Sequence, residues 1–343
     1  MPGIAGPAPF FLDLNKEVIE ADPCLTALLS IAGSDDGIPL GSFLEVVEPE
    51  EGELLGLVVA NEGPVLRKLR IRRVAEGPIL LLGAARREAG IMQLRGVLTA
   101  NDLALFRNAE LEGSKEVDAL AHIISHDLRA PLRGVIGFGH MLKECEGKEL
   151  SEKGQDLLDR MISETERMNQ MLIALARLSR IAAQPLATEQ FDLAAECKAI
   201  WKELAPDNAG DLEVVSSELV QADAELMRAL LKELLSNSLK FHQEGKEPRV
   251  SFLTTEVEGG IICAVVDDGV GFDMSCASKL FSPFQRMHPA GAFPGQGIGL
   301  AIVSKVAQKH GGRTWIASRE GGGTVVIFTL RTGVRSGLNA AGF

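Results

Sequence analysis

The chain has 343 residues, room for two or three domains, and its 46% hydrophobic and 24% charged residues are the balance of a soluble globular protein. A net charge of -12 and a pI near 5.1, with no run of Lys or Arg, argue against nucleic acid as a partner. Apolar runs such as Leu54–Ala60 and Ile79–Ala85 fall far short of the roughly 18 residues that a membrane span needs, so no membrane partner is expected. Met1-Pro2-Gly3-Ile4 has no basic region ahead of an apolar core, and the five cysteines (24, 145, 197, 263, 276) are scattered without a CxxC pair. No signal peptide and a cytoplasmic location are the expectation.

In chain order, Phe10–Asp13 and Glu17–Ala21 flank Leu14-Asn15-Lys16 as a hairpin-like start. Cys24–Ala32 has helical spacing, and Leu66–Val74 and Pro78–Ala84 read as later strands. Residues 1–89 thus predict an α+β domain. The order strand, strand, helix, loop, strands resembles a PAS-like sensor domain, with Gly41-Ser42-Phe43-Leu44 through Pro49-Glu50-Glu51 in the place of that fold's loop. All six histidines lie at 122 or later, which excludes a histidine-ligated haem in this region. In residues 90–113, Leu94, Leu98, Asn101 and Leu105 approximate a heptad seam and predict a helical, coiled-coil linker.

Residues 114–183 predict two long helices, Ser114–Leu142 and Ser151–Ala182, joined by the polar loop Lys143–Leu150. Leu158, Met161, Ile162, Thr165, Met168, Leu172, Leu175 and Leu178 keep a period near 3.5. A helical hairpin cannot bury two such stripes alone, so the expected solution is a homodimer in which two hairpins form an antiparallel four-helix bundle.

The first helix carries Ser125-His126-Asp127-Leu128-Arg129-Ala130-Pro131-Leu132. His126 lies off the stripe of Leu120, Ile124, Leu128, Leu132 and Val135, and Pro131 inside a helix costs roughly 3 kcal/mol or more. A histidine beside a carboxylate, just before such a disruption, marks a site. The string matches six of eight positions of Ser-His-Glu-Leu-Arg-Thr-Pro-Leu and resembles the phosphoacceptor box of sensor histidine kinases. The resemblance implies His126 as nucleophile, with Asp127 accepting or stabilising the ring proton. Ala130 stands where many such kinases carry threonine or asparagine to orient a water, which implies weak phosphatase activity.

Residues 187–331 supply the other half. On a helix from about Asp223 to His242, Met227, Leu230, Leu231, Leu234, Leu235 and Phe241 form the apolar face, and Glu233, Asn237 and Lys240 share the opposite stripe. Glu233-Leu234-Leu235-Ser236-Asn237-Ser238-Leu239-Lys240-Phe241 resembles the asparagine box of Bergerat-type ATPases. This implies ATP as cofactor, Mg²⁺ held through Asn237 and Glu233, and Lys240 near the phosphates. Val265-Val266-Asp267-Asp268-Gly269-Val270-Gly271-Phe272 reads as a buried strand entering a glycine turn. Asp267 is the candidate acceptor for the adenine amine, and Gly269 and Gly271 admit close backbone approach. Most relatives carry asparagine at the place of Asp268.

Leu280-Phe281-Ser282-Pro283-Phe284-Gln285-Arg286-Met287-His288 resembles the phenylalanine box of the kinase lid. Gly295-Gln296-Gly297-Ile298-Gly299-Leu300 opens a helix, so its spaced amides form an anion cradle. No Rossmann strand precedes it and no Walker Gly-Lys-Ser/Thr occurs. Gly321-Gly322-Gly323-Thr324 precedes the strand Val325–Leu330, and the family resemblance implies Thr324 behind Asp267.

The expected protein is multidomain α+β: a PAS-like domain, a dimeric helical bundle, an α/β sandwich of the Bergerat type and a tail at 332–343. The resemblance implies ATP-dependent phosphorylation of His126, then transfer to an aspartate on the receiver domain of a separate response regulator. The alternatives are a phosphotransfer protein with an inert ATPase-like domain, or a chaperone- or topoisomerase-type ATPase using Glu233 as base.

Overall fold

The computed structural model describes the backbone of residues 8–13, 18–21, 38–39, 63–69, 79–88, 91–100 and 114–331, without 207–209, 216–218, 258, 275–278, 288–292 and 294. Side chains are described for Ile38 and for these residues from Leu128 onward. The Cys24–Ala32 helix, the 41–51 loop and the 332–343 tail lie outside the described residues.

Six N-terminal strands, β1 (Ala8–Asp13), β2 (Val18–Ala21), β3 (Ile38–Pro39), β4 (Gly63–Leu69), β5 (Ile79–Glu88) and β6 (Ile91–Ala100), form one antiparallel sheet in the order β3-β2-β1-β6-β5-β4. The opening hairpin pairs Phe10 with Ala21 and Asp13 with Val18. The predicted helical linker is corrected over 91–100, which is strand β6, paired with β5 from Ile79↔Ala100 to Glu88↔Ile91. Leu94 and Leu98 are four residues apart, which puts them on one side of a helix and equally on one side of a strand. Nearby Val97 and Thr99 favour the strand, as does Gly90 between two runs of similar length. Residues 101–113, the rest of the expected linker, lie outside the described residues.

Helices α1 (Ser114–Glu146) and α2 (Glu152–Ala183) form the expected hairpin, α1 running one turn past the sequence estimate. α2 starts at Ser151, whose Oγ accepts the Gly154 amide at 3.2 Å. α1 continues through Pro131, so packing along the hairpin outweighs the lost backbone bond. Gly139 lets the two helices approach closely, since a Cβ there would meet Ile162 Cγ1 at 2.8 Å. Leu158, Ile162, Ala174, Leu178 and Ile181 of α2 are buried. The outward stripe is not: Phe138 is 72% exposed, Met141 58% and Leu157 57%.

The C-terminal module begins with β7 (Thr188–Asp192), α3 (Leu193–Leu204), β8 (Asp211–Val215), β9 (Leu219–Asp223) and α4 (Ala224–Lys240). It continues through β10 (Arg249–Val257), β11 (Gly260–Asp267), α5 (Gly299–Lys309), β12 (Thr314–Arg319) and β13 (Gly323–Arg331). The main sheet has the order β12-β13-β11-β10-β8, antiparallel except for the parallel β8–β10 pair, and β7 pairs with β9 alongside.

Alternation places Phe252, Cys263 and Phe328 under the helices and Leu253, Ala264 and Ile327 on the opposite, equally buried face. Leu226, Met227, Leu230, Leu231, Leu234 and Leu235 of α4 and Ile302, Val303 and Val306 of α5 fill the helical side. Lys309 at the end of α5 donates to the carbonyls of Ala182 (3.0 Å) and Gln184 (2.5 Å), tying it to the end of α2.

Candidate functional site

α4 lies with its apolar face on the sheet, so its polar stripe faces away from the core toward α5. Between them opens a cavity of about 390 Å³. Of the residues singled out from sequence, Glu233, Asn237, Lys240, Asp267, Gly271, Gly295, Gly297, Gly299, Leu300 and Thr324 line it. Gly269 stands behind the wall: its amide donates to Asp267 Oδ1 at 3.0 Å, and a Cβ there would meet the Phe241 carbonyl oxygen at 2.6 Å.

Asp267 ends β11 and forms one end of the cavity. Oδ1 accepts the Gly269 amide and the Thr324 amide (3.1 Å), and Oδ2 accepts the Ser238 hydroxyl at 3.3 Å. Thr324 supports the carboxylate through its backbone, while its hydroxyl is engaged with Ser318 Oγ at 3.0 Å. Burial pushes the Asp267 carboxyl up to about 6; the Gly269 amide opposes this and the neighbouring charge of Asp268 adds to it. Asp268 itself points elsewhere, accepting the Arg249 amide at 3.0 Å, which gives its extra carboxylate a structural partner.

The far end is the N-terminus of α5. α3 and α4 are capped by Asp192 and Asp223, whose carboxylates accept the Ala195 and Leu226 amides. α5 has no side-chain cap and no acidic residue in its first turn, so its leading amides face the cavity without an internal acceptor. Glu233 and Asn237 pack against this end: a Cβ on Gly299 would meet Glu233 Oε2 at 2.9 Å and Asn237 Nδ2 at 3.4 Å. Gly295 and Gly297 adopt φ of +133° and +73°, conformations open to glycine. Lys240 Nζ lies 4.3 Å from the Phe241 ring centre and close to Gly295. Burial, then the charge of Arg286, lowers its pKa from the ordinary lysine range, with Glu233 opposing.

Between the two ends, Val265, Phe272, Leu280, Met287, Ile316 and Val326 supply apolar walls. In the lid segment Phe284 holds φ +65°, fixed by its amide donating to the Gly297 carbonyl at 2.8 Å, and Phe293 meets the Phe241 ring edge-on at 5.0 Å. A partly buried carboxylate, an apolar slot and uncapped amides in series have the chemistry to take an amine-bearing base at one end and an anion at the other.

Some participants carried no sequence signal. Arg177 of α2 lines the cavity and pairs with Glu233 at 2.7 Å, and Gln170 accepts from the lid's Gln296 at 2.8 Å. Ser238 was inside the quoted asparagine string but unassigned. His126 and Asp127 are on α1 in the backbone, and their side chains lie outside the described residues. No helix among the described residues is long and apolar enough to cross a membrane. Among the same residues no cluster of three or more His, Cys, Asp or Glu side chains could hold a metal alone.

Residues 222–334 match the histidine kinase-, DNA gyrase B- and HSP90-like ATPase family, and residues 116–184 match the His Kinase A phospho-acceptor domain. Cyanobacterial phytochrome B of Nostoc sp. is 30% identical over 68% of this chain and 32% of its own length. The phytochrome-like protein Cph1 of Synechocystis sp. is 28% identical over the same shares, so the chain spans about a third of the length of these relatives. Among solved structures, the histidine kinase ThkA in complex with the response regulator TrrA aligns over 95% of this chain and 96% of its own, at 18% identity and a TM-score of 0.45. In this order, the two matched segments give a helical segment similar to a His Kinase A phospho-acceptor domain followed by a module similar to the histidine kinase-, DNA gyrase B- and HSP90-like ATPases.

Proposed function

We propose that the chain is a sensor histidine kinase that binds ATP in the cavity between α4 and α5, phosphorylates His126 and passes the phosphoryl group to an aspartate of a separate receiver domain. The observation that carries this is the pairing of a partly buried, amide-braced Asp267 with the uncapped start of α5 at opposite ends of one apolar slot. Asp267 is suited to accept the adenine amine, Gly269 and Gly271 to let the backbone close on the ring, and Thr324 to brace the carboxylate. Gly295, Gly297, Gly299 and Leu300 would present amides to the phosphates, with Lys240 adding charge.

Asn237 and Glu233, whose side chains lie beside the same helix terminus, would hold Mg²⁺ shared with phosphate oxygens. The ion supplies charge neutralisation of the phosphates when bound. His126 is the proposed nucleophile. Asp127 is placed next to it in sequence to take up the ring proton or stabilise the developing cation.

The exposed stripe of Phe138, Met141 and Leu157 supports a homodimer through the helical hairpins. The antiparallel order β2-β1-β6-β5-β4 at the N-terminus supports the PAS-like reading of residues 1–89. With β6 ending at Ala100, this domain's sheet extends beyond residue 89 and leaves only 101–113 as connector. Incubation with ATP is expected to label the protein with acid-labile, base-stable phosphate, and His126→Gln to remain unlabelled. Equal labelling of that variant overturns the assignment.

A further inference from the structure

We infer that Gln243 is a positioning residue for the adenine end of the cavity, acting as a donor clamp on the glycine loop that carries Asp267. The inference rests on the reading of that cavity as an ATP site. Gln243 lies just past α4 and does not line the cavity. Its Nε2 donates to three backbone carbonyls: Asp268 at 3.2 Å, Gly269 at 3.3 Å and Gly321 at 3.3 Å. All three partners are acceptors, so the amide nitrogen must face them, and its two N–H groups are shared among three oxygens.

The clamp joins segments that need it. The loop 268–271 follows β11 and contains Gly269 and Gly271, whose missing side chains let it pack directly against the Phe241 and Arg319 carbonyls. Gly321 is the turn between β12 and β13. Two backbone bonds already cross here, Val270 to the Phe241 carbonyl at 2.8 Å and Gly321 to the Val270 carbonyl at 2.7 Å. Gln243 adds the side-chain link from the end of α4 to both. Its consequence for the site runs through Gly269, whose carbonyl it holds and whose amide braces Asp267 Oδ1 at 3.0 Å. A displaced Gly269 would release one of the two amides on that oxygen and shift the acceptor meant for the base. The phosphate end, built on α5, shares none of these bonds.

The chemistry orders two substitutions in a way that packing would not. Gln243→Glu keeps the volume, removes both donors and sets a carboxylate against three carbonyl oxygens. Gln243→Ala removes the clamp without adding repulsion. Using the full chain, ATP dissociation constants from displacement of a fluorescent ATP analogue are expected to rise about tenfold for the glutamate variant and about threefold for the alanine variant. The autophosphorylation rate at saturating ATP should stay within about twofold of the parent, and displacement by inorganic tripolyphosphate should be unchanged in both. Thermal melting identifies a variant that fails to fold, in which case the other decides.

Unchanged ATP affinity, alanine weaker than glutamate, tripolyphosphate weakening in step with ATP, or a falling rate at constant affinity each overturns the clamp. Failure of the parent chain to bind ATP overturns the functional reading instead, so the two failures are distinguishable.

Discussion

Helix α4 and the hairpin α1–α2 carry the same kind of apolar stripe and meet opposite fates. In α4, Leu226, Met227, Leu230, Leu231, Leu234 and Leu235 are at most 3% exposed, because the sheet and α5 complete their surroundings within one module. Along the hairpin, Leu128 is 47% exposed, Phe138 72% and Met141 58%. Periodicity alone specifies that a face will be buried, not which surface buries it. The C-terminal module contains both halves of its own core, and the hairpin leaves a face open that the proposed homodimer would cover. The polar face of α4 accordingly turns Glu233, Asn237 and Lys240 into a cavity.

The sharpest way to break this contrast is truncation on each side of it. Leu231→Ala, at a fully buried position, is expected to destabilise the ATPase module by about 3 kcal/mol in urea unfolding. Phe138→Ala should leave that transition unmoved and weaken self-association at least tenfold in sedimentation equilibrium. A loss of module stability in the second variant, with association intact, would remove the distinction.

A further test separates stability from function inside the module. Asp267 has a folded-state pKa of about 6, above the ordinary value near 3.8, so its contribution to stability is fully present below pH 3.8 and is lost as pH rises through 6. Asp267→Asn cannot ionise. Its melting temperature relative to the parent is therefore expected to rise between pH 4 and pH 7, by the equivalent of about 2 kcal/mol. A constant difference across that range would contradict the buried-carboxylate account.

The smallest effect is expected where the two regions touch. Arg177→Ala breaks the 2.7 Å pair with Glu233, and since Arg177 is half exposed the stability change should stay under about 1 kcal/mol. A larger loss would make the hairpin and the module one cooperative unit.

Much of the candidate site was readable because its residues act locally. Glu233, Asn237 and Lys240 share a helix face by spacing, and Asp267 is fixed by its place at a strand end. Their convergence follows from sheet order, with β13 pairing β11 so that Asp267 stands opposite Thr324. Residues whose roles depend on distant partners were not readable. Arg177 is one polar residue on a long helix, and Gln243 is one of the chain's ten glutamines, set in a polar turn. The N-terminal region misled at Leu94 and Leu98, whose spacing of four suits a helix and a strand alike. There the antiparallel pairing with β5 decided the outcome. Asp268 looked like a charge without purpose until Arg249 was brought beside it by the β10–β11 pairing.

The central claim is that one nucleotide spans the cavity from Asp267 to the start of α5. Calorimetric titration of the full chain with ATP, GTP and tripolyphosphate, repeated with Asp267→Asn, tests it most directly. The account predicts a single saturable ATP site in the parent with clear preference over GTP, and a variant that keeps its tripolyphosphate affinity while that preference disappears. A variant that binds ATP as tightly and as selectively as the parent would contradict it.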